Sequence, residues 1–213
     1  MKKIAIFGAG GFGREVKWLI DEINSISPEW DFIGYFDDDF SHVTKIDKRL
    51  FLGKITQLNK WKESLSLVVA VGNPVVKRKI VQQLTNTLIH YAILIHPNVV
   101  KGKNNVAIGE GSIICAGNIL TVDITIGKHV ILNLNCTVGH DTIIGDYASF
   151  MPNVNISGEV NISEAVYVGT GAKIINQLEI GQNTVVGAGA VVAKSLPANC
   201  TAIGIPAKPV KFH

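Results

Sequence analysis

A six-residue hydrophobic period runs through the second half of the chain. Residues 106–195 divide into fifteen consecutive blocks of six, and the third residue of every block is aliphatic or Phe. An amphipathic helix repeats its apolar positions every three or four residues and a hairpin sheet alternates in twos, so neither gives this period. The period predicts a parallel β-helix, in which three blocks make one triangular coil. A β-sandwich with chance regularity is disfavoured, because loops of unequal length separate its strands.

The third residues of the blocks form the predicted inward columns of this β-helix. They are Ile108, Ile114, Leu120, Ile126, Leu132, Val138, Ile144, Phe150, Ile156, Ile162, Val168, Ile174, Ile180, Val186 and Val192. The fourth residue of a block is often Gly, which indicates a short strand followed by a turn. With three blocks in each coil, residues eighteen apart in the sequence are expected to stack.

The first part of the chain has a different pattern, in which buried strands alternate with amphipathic helices. Strands are predicted at 3–7, 32–36, 65–71 and 91–95, and helices at 13–26 and 75–84. This alternation predicts a small Rossmann-like α/β domain. The expected domains are therefore residues 1–97, the Rossmann-like domain, and residues 98–213, the β-helix domain with a C-terminal tail.

A glycine-rich turn follows the first predicted strand. The run from Gly8 to Gly13 matches the Gly-x-Gly-x-x-Gly fingerprint between a strand and a helix. Glycines there let backbone N–H groups approach a phosphate at the positive end of the helix, although a tight turn without a ligand would have the same sequence. At the end of the second strand, Asp37 or Asp38 would accept hydrogen bonds from a ribose or a base, or form a solvated acidic turn.

A dinucleotide-dependent oxidoreductase would use the same glycine-rich turn. The α/β unit spans about 90 residues, which suffices for one mononucleotide-binding half but not for two. The rest of the chain is the repeat region, and no constellation for hydride transfer is visible. A mononucleotide ligand is therefore favoured, and a purely structural scaffold is disfavoured because it has no use for such a turn.

Composition narrows the function classes. Hydrophobic residues make up 47% of the chain and charged residues 17%, as suits a solenoid with buried columns. No apolar run approaches the roughly 20 residues of a membrane span, so a cytoplasmic protein without a membrane segment is expected. The net charge of +3 is too mild to indicate nucleic-acid binding. The three cysteines are odd in number and are expected to pack rather than pair.

The repeated Ile-Gly and Val-Gly pairs at 107–110, 125–128 and 184–189 resemble those of the hexapeptide-repeat acyltransferases. The resemblance implies a left-handed parallel β-helix, whereas general crossover rules favour right-handed connections. It also implies a homotrimer with acyl-CoA in the groove between two neighbouring prisms.

The pairing of this N-terminal domain with hexapeptide coils resembles one branch of that family, the bacterial sugar N- and O-acetyltransferases. This branch includes sialic acid O-acetyltransferase and the UDP-4-amino-sugar N-acetyltransferase of bacillosamine synthesis, and its small domain holds a nucleotide-sugar. The residues that match are Gly10, Gly11, Phe12, Gly13, Arg14, Asp37, Asp38, Gly72 and Asn73. Many relatives carry His at the place of Phe12, so no polar role is implied there, while Arg14 remains a phosphate partner.

The catalytic residues that the resemblance implies are His140 and Asp141. Imidazole has its pKa near working pH and suits a general base, and Asp141 would orient the ring. A His merely exposed at a turn is the alternative. Gly158 lies eighteen residues after His140 and is expected on the same corner one coil further, where its N–H would stabilise an oxyanion. The other histidines lack metal-ligand spacing, so no catalytic metal is expected.

Acyl-CoA contacts are implied along the later coils. The matching residues are Gly169, Thr170, Gly187, Ala188, Gly204 and Lys208. Small residues there leave room for the pantetheine arm. Relatives often carry a second His that touches CoA nine residues after the catalytic one, and this chain has Ser149 at that place.

The expected function is an acetyl-CoA-dependent N-acetyltransferase. Its acceptor would be the amino group of a nucleotide-linked aminosugar, of the 4-amino-4,6-dideoxy type, in the biosynthesis of a surface glycan such as lipopolysaccharide or capsule. Transfer would be by direct attack, with His140 as the base and no covalent enzyme intermediate. O-acetylation of a sugar of the sialic acid type is the alternative. The nucleotide, and acetyl against a longer acyl group, stay open.

Overall fold

The N-terminal domain is built on a five-stranded parallel sheet. The computed structural model describes residues 1–213, the side chain of Phe40 excepted. The strands are β1 (Lys2–Phe7), β2 (Trp30–Phe36), β3 (Phe51–Gly53), β4 (Leu65–Val69) and β5 (Ile89–Tyr91). Their order in the sheet is β3-β2-β1-β4-β5, and every neighbouring pair is parallel. The chain therefore leaves β1 toward β2 on one side and returns to β4 on the other.

Helices and a 3-10 turn connect these strands. The helices are α1 (Gly11–Ile26), α2 (Phe40–Val43), α3 (Ile55–Leu58) and α4 (Pro74–Gln83), and the 3-10 turn is Lys48–Leu50. Val16, Leu19 and Ile20 of α1 are buried because their spacing of three and four places them on one helical face. The two long predicted helices are confirmed. The shorter α2, α3 and β3 were not predicted, because they are too short to show a hydrophobic period.

The second half of the chain is a left-handed β-helix, as the resemblance implied. Its strands in chain order are β6 (Leu94–Ile95), β7 (Val100–Lys101), β8 (Val106–Ile108), β9 (Ile113–Ile114), β10 (Ile119–Leu120), β11 (Ile124–Ile126), β12 (Ile131–Leu132), β13 (Thr137–Val138), β14 (Ile143–Ile144), β15 (Ser149–Phe150), β16 (Asn155–Ile156), β17 (Asn161–Ile162), β18 (Tyr167–Val168), β19 (Lys173–Ile174), β20 (Glu179–Ile180), β21 (Val185–Val186), β22 (Val191–Val192), β23 (Cys200–Gly204) and β24 (Ala207–Phe212).

Three sheets form the faces of the prism. The first sheet contains β6, β9, β12, β15, β18, β21, β23 and β24, the second contains β7, β10, β13, β16, β19 and β22, and the third contains β8, β11, β14, β17 and β20. Leu132 pairs with Phe150 and Val138 with Ile156, so the predicted stacking interval of eighteen residues is confirmed. The third residues of the blocks are buried from Ile114 to Val192, while Ile108, near the open end, is half-buried.

A left-handed backbone conformation recurs at the sixth residue of the blocks. From Asn105 to Gly189 every sixth residue has a positive φ, between 50° and 62° for the non-glycine residues and between 66° and 75° for the glycines. None of these residues is β-branched, because a branched Cβ clashes with the backbone in this region. The hydrophobic pattern does not reveal this second six-residue period, because these residues are of mixed polarity.

The two domains meet just after β5. Tyr91 ends a strand of the α/β sheet, whereas Leu94 pairs with Ile113 in the first sheet of the β-helix. The segment 91–95, predicted as one strand, is thus two strands in two sheets, and the β-helix starts slightly before residue 98. At the other end, β23 and β24 form an antiparallel hairpin where a tail was expected.

Buried polar side chains lie at the contact between α4 and the β-helix. Lys77 is buried, and its Nζ donates a hydrogen bond to Oγ of Ser149 at 2.8 Å. Burial lowers the pKa of Lys77 well below its usual value. Arg78 forms an ion pair with Glu164 at 2.9 Å. These polar contacts of α4 add to apolar packing between the domains, because one hydrophobic cluster contains residues of α1 together with residues of β9 and β12.

All three cysteines lie inside the fold. Cys115, Cys136 and Cys200 are buried and unpaired, so the packing role predicted for them is confirmed. Among the described helices, none combines the length and apolar character that crossing a membrane requires.

Candidate active site

His140 lies at a corner of the prism, between β13 of the second sheet and β14 of the third. Its side chain is 56% exposed, and Nδ1 is 2.7 Å from Oδ2 of Asp141. Asp141 occupies the sixth position of its block with φ of 57°, a conformation that Asp tolerates well. A carboxylate at Nδ1 keeps the ring proton on that nitrogen, so Nε2 is left as the acceptor.

Gly158 lies against the ring of His140, one coil further along the prism. A Cβ built on Gly158 would lie 2.5 Å from Nε2 of His140. The register of eighteen residues between β13 and β16 produces this approach, as expected from the sequence. Any side chain at position 158 would displace the imidazole. The oxyanion role of the Gly158 N–H stays a prediction.

A cavity of about 550 Å³ opens at the carboxyl ends of β1, β2 and β4. This is the point where the sheet order changes direction, which is where α/β sheets bind ligands. The lining residues are Phe7, Gly8, Gly10, Gly11, Phe12, Asp37, Asp38, Asp39, His42, Ala70, Val71, Gly72, Val76, Lys79, Ile80 and Gln83. Most of the residues that the resemblance assigned to the nucleotide-sugar are brought together here.

The glycines of the first turn have distinct structural roles. Gly10 precedes the first residue of α1, and no atom of the described side chains and backbone lies within 4 Å of a Cβ placed on Gly11, so this helix end has room for a ligand. A Cβ on Gly13 would overlap the carbonyl oxygen of Gly8, because strand and helix pack closely.

Basic side chains surround the same helix end. A second cavity, of about 440 Å³, adjoins Gly10 and Gly11 and is lined by Arg14, Ser41, His42 and Lys45. The N-terminus of a sixteen-residue helix favours an anion, and the cationic side chains of Arg14 and Lys45 add to that preference. His42 and Lys45 were not identified from the sequence, because α2 shows no hydrophobic period.

The two acidic residues after β2 differ in their availability to a ligand. Asp37 is buried and accepts hydrogen bonds from the N–H groups of Ala9 and Asp39 and contacts Nδ1 of His42 at 2.9 Å. These bonds hold the glycine-rich turn and α2, and Asp37 also lines the large cavity, so its ribose or base role stays a prediction. Asp38 is exposed, uses Oδ1 to accept from the N–H of Ile55, and lines the cavity together with Asp37 and Asp39.

Gly72 and Asn73, which follow β4, have different positions relative to the large cavity. Gly72 lines the large cavity. Asn73 is not among the lining residues, and its side chain caps α4 by accepting from the N–H of Val76 at 3.1 Å. The substrate-binding role of Asn73 stays a prediction.

A third cavity lies between α1 and the β-helix. It measures about 130 Å³ and is lined by Phe12, Glu15, Gly72, Asn133 and Met151. Phe12 and Gly72 line the large cavity as well, so the two spaces adjoin. Glu15, Asn133 and Met151 were missed from the sequence, although Glu15 follows Phe12 at the helical spacing of three residues.

The residues expected to contact CoA are found in three settings. Ser149 is fully buried under Lys77, so it offers no group to a ligand, and the expectation for it is corrected. Gly169 is buried, and a Cβ there would lie 2.6 Å from the backbone nitrogen of Ala188. A glycine at this position is therefore explained by the close stacking of two coils. The exposed candidates are Thr170, Ala188, Gly204 and Lys208, with Gly187 half-buried.

The described residues contain no group of three or more His, Cys, Asp or Glu side chains placed to hold a metal ion. His129 illustrates why the other histidines differ from His140. It is buried between Tyr91 and Tyr147, with ring centroids 4.5 and 5.3 Å away, and burial lowers its pKa to about 4.

Comparisons with known proteins agree with this geometry. Residues 3–84 match the family model described as the PglD N-terminal domain. The chain is 30% identical to a GDP-perosamine N-acetyltransferase of Escherichia coli O157:H7, over 99% of this chain and 97% of that protein. The structure of PerB from Caulobacter crescentus with CoA and GDP-perosamine has a TM-score of 0.86 at 29% identity, covering 99% of this chain and 98% of that one.

A third relative carries the acyl donor. The acetyltransferase domain of PglB from Neisseria gonorrhoeae FA1090, in complex with acetyl coenzyme A, has a TM-score of 0.85 at 29% identity, covering 98% of this chain and 99% of that one. Full-length similarity in both sequence and fold confirms the resemblance drawn from the sequence. The chain belongs to the hexapeptide-repeat family of sugar N-acetyltransferases.

Proposed function

We propose that this chain transfers the acetyl group of acetyl-CoA to the amino group of a nucleotide-linked aminosugar. The observation that carries the proposal is the pair formed by His140 and Asp141, with Nδ1 against the carboxylate and the imidazole side chain exposed at a prism corner. The nucleotide-sized cavity of the N-terminal domain supports the substrate class. Full-length relatives named as GDP-perosamine N-acetyltransferases support the reaction.

The proposed reaction is a direct attack. The neutral amine of the sugar attacks the thioester carbonyl carbon of acetyl-CoA, and Nε2 of His140 accepts the proton that the nitrogen loses. The N–H of Gly158 donates a hydrogen bond to the oxyanion that forms. As the C–S bond breaks, the imidazolium returns the proton to the sulfur, which leaves as the free thiol of CoA. The products are the N-acetyl sugar and CoA, with no enzyme-bound acetyl group.

The substrate is proposed to lie along the N-terminal domain. Its diphosphate contacts the N–H groups at Gly10 and Gly11 and the side chains of Arg14 and His42, which surround the positive end of α1. The nucleoside occupies the 550 Å³ cavity beside Asp38. This arrangement leaves the sugar to extend past Phe12 toward the prism.

The position of His140 supports a homotrimer whose sites lie between subunits. The third cavity, with Asn133 and Met151, lies at the corner between the first and second sheets, as do Thr170 and Ala188. His140 lies at the next corner, between the second and third sheets. One prism face thus separates the sugar from His140 of the same chain, and a neighbouring subunit would supply the base. Surface-glycan biosynthesis and a cytoplasmic location stay predictions.

The proposal is tested by measuring release of the CoA thiol from acetyl-CoA. The acceptors are UDP-, dTDP- and GDP-linked 4-amino-4,6-dideoxy sugars, with sialic acid beside them. Release with one aminosugar is expected, with His140→Ala lowering kcat by about a hundredfold or more because the base is lost. His90→Ala, a change at an exposed histidine of β5, is the matched control and keeps full activity. Release with sialic acid alone, or an active His140→Ala variant, would refute the proposal.

A further inference from the structure

The 130 Å³ cavity is the space into which the sugar of a nucleotide-sugar would extend. It adjoins the large cavity, because Phe12 and Gly72 line both. A ligand whose nucleoside fills the large cavity can therefore place its sugar in the smaller one. Its walls come from α1 on one side and from the ends of β12 and β15 on the other. The cavity is small enough that it accommodates one sugar ring and no second nucleotide.

The cavity combines apolar and polar walls. Phe12 and Met151 present apolar surface, and Glu15 and Asn133 present polar groups. Oδ1 of Asn133 accepts a hydrogen bond from the N–H of Leu134 at 2.7 Å, so this oxygen is already engaged. The carboxylate of Glu15 forms no hydrogen bond or ion pair with the described residues. A 6-deoxy aminosugar has the complementary character, with a methyl group on one side and N–H and O–H donors on the other.

Glu15 and Phe12 occupy the same side of α1. Residues three apart on a helix are neighbours, and both side chains line the same cavity. Position 12 holds an aromatic ring that makes no polar contact with a substrate. The carboxylate of Glu15, about one helical turn after Phe12, lines the same 130 Å³ cavity.

On the basis of the proposed function, we propose that Glu15 is a specificity-determining residue that accepts a hydrogen bond from an N–H or O–H donor of the aminosugar. It supplies from position 15 the polar contact that Phe12 cannot make. Because the large cavity and not Glu15 holds the nucleoside, Glu15 discriminates among sugars and leaves the affinity for the nucleoside diphosphate unchanged.

The test compares binding of GDP-perosamine with binding of GDP by calorimetry, or the corresponding pair for whichever acceptor supports release of CoA. Glu15→Ala is expected to weaken binding of the nucleotide-sugar and raise KM by about tenfold or more, as loss of a charge-assisted hydrogen bond does, with the Kd for GDP unchanged. Glu15→Gln keeps an acceptor oxygen and is expected to lose less. Asp21→Ala, at an exposed carboxylate of the same helix, is the matched control.

Other results would overturn the assignment. Wild-type affinity of Glu15→Ala for the nucleotide-sugar would show that Glu15 does not contact it. An equal loss of GDP affinity would show that the substitution acts on the nucleotide or on the fold. A loss in Glu15→Gln larger than that in Glu15→Ala would exclude a simple acceptor role. Absence of CoA release from the wild-type protein with every acceptor is a separate outcome, which refutes the proposed function.

Discussion

At the scale of single residues, the catalytic proposal depends on the close approach of His140 and Gly158. Among the fifteen blocks, Gly158 is the one glycine at the fifth position, and it falls on the coil next to His140. Its backbone φ lies outside the left-handed region, so the glycine is not needed for a turn. The absence of a side chain serves to leave room for the imidazole.

Gly158→Ala is therefore expected to impair catalysis while leaving stability nearly unchanged. The three atoms nearest to the added methyl group all belong to the ring of His140, which rotates into solvent and leaves Asp141. We expect kcat to fall about ten- to a hundredfold, as for loss of an oriented base, and the thermal midpoint to stay within a few degrees. Steady-state kinetics and thermal unfolding measure the two effects.

Asn176→Ala is the matched control for this substitution. Asn176 is exposed, and its position eighteen residues after Gly158 places it in the same column one coil further from His140. Full activity is expected of this variant. If Gly158→Ala retained wild-type kcat, the contact between the two residues would have no catalytic significance.

At the scale of elements, an aromatic stack joins β5 of the α/β domain to the coils. His129 stacks on Tyr147 and meets Tyr91 edge-on, and it has φ of 55° at the sixth position of its block. The charges that act on it are Lys77, Glu110, Asp146 and Lys128. Desolvation outweighs the acidic neighbours, so the ring is neutral in the folded protein.

The buried ring predicts a loss of stability in acid. The pKa of His129 is lowered from 6.5 to about 4, so between these values the unfolded chain binds a proton that the folded chain does not. Stability from this group is complete above pH 6.5 and falls as the pH drops toward 4, by roughly 3 kcal/mol in all. Denaturant unfolding at several pH values between 7 and 4 measures the decline.

His129→Asn separates this effect from other titrations. Asn tolerates the left-handed backbone at this position and does not titrate. The variant is less stable at pH 7 because the stacking is lost, but its stability is expected to fall less steeply between pH 6.5 and 4. If the free energy of unfolding fell equally steeply with pH in the variant and in the wild-type protein, His129 would make no contribution to the pH dependence.

At the scale of the whole molecule, the proposed site is divided between two corners of the prism. The N-terminal domain and the third cavity lie beside the first and second sheets, and His140 lies between the second and third. A trimer with threefold symmetry would bring one corner of each subunit to the other corner of its neighbour. The chain as a monomer would then lack a complete site.

Complementation between two inactive variants tests this division. Gly11→Asp adds a carboxylate in open space at the helix end, where it repels the substrate diphosphate without disturbing the fold. His140→Ala removes the base. Each variant alone is expected to be inactive, whereas mixed oligomers of the two, co-expressed with different tags, should recover part of the wild-type activity. Inactive mixed oligomers would place the whole site within one chain.

The sequence was most informative about features that repeat or are local. The β-helix, its interval of eighteen residues and the place of Gly158 beside His140 all follow from the six-residue period, because each coil has the same length. The strand, turn and helix around Gly8 to Gly13 follow from short-range pattern in the same way. His140 came from the family resemblance, and the structure places it at the corner that the period predicts.

Tertiary structure decided which of these side chains are available to a ligand. Ser149 is covered by Lys77 of α4, whereas Glu15 faces a cavity completed by residues more than a hundred positions away. Hydrophobic periodicity records whether a side chain points inward within its own element. Whether another element then covers it depends on how the two domains pack, and no local pattern contains that information.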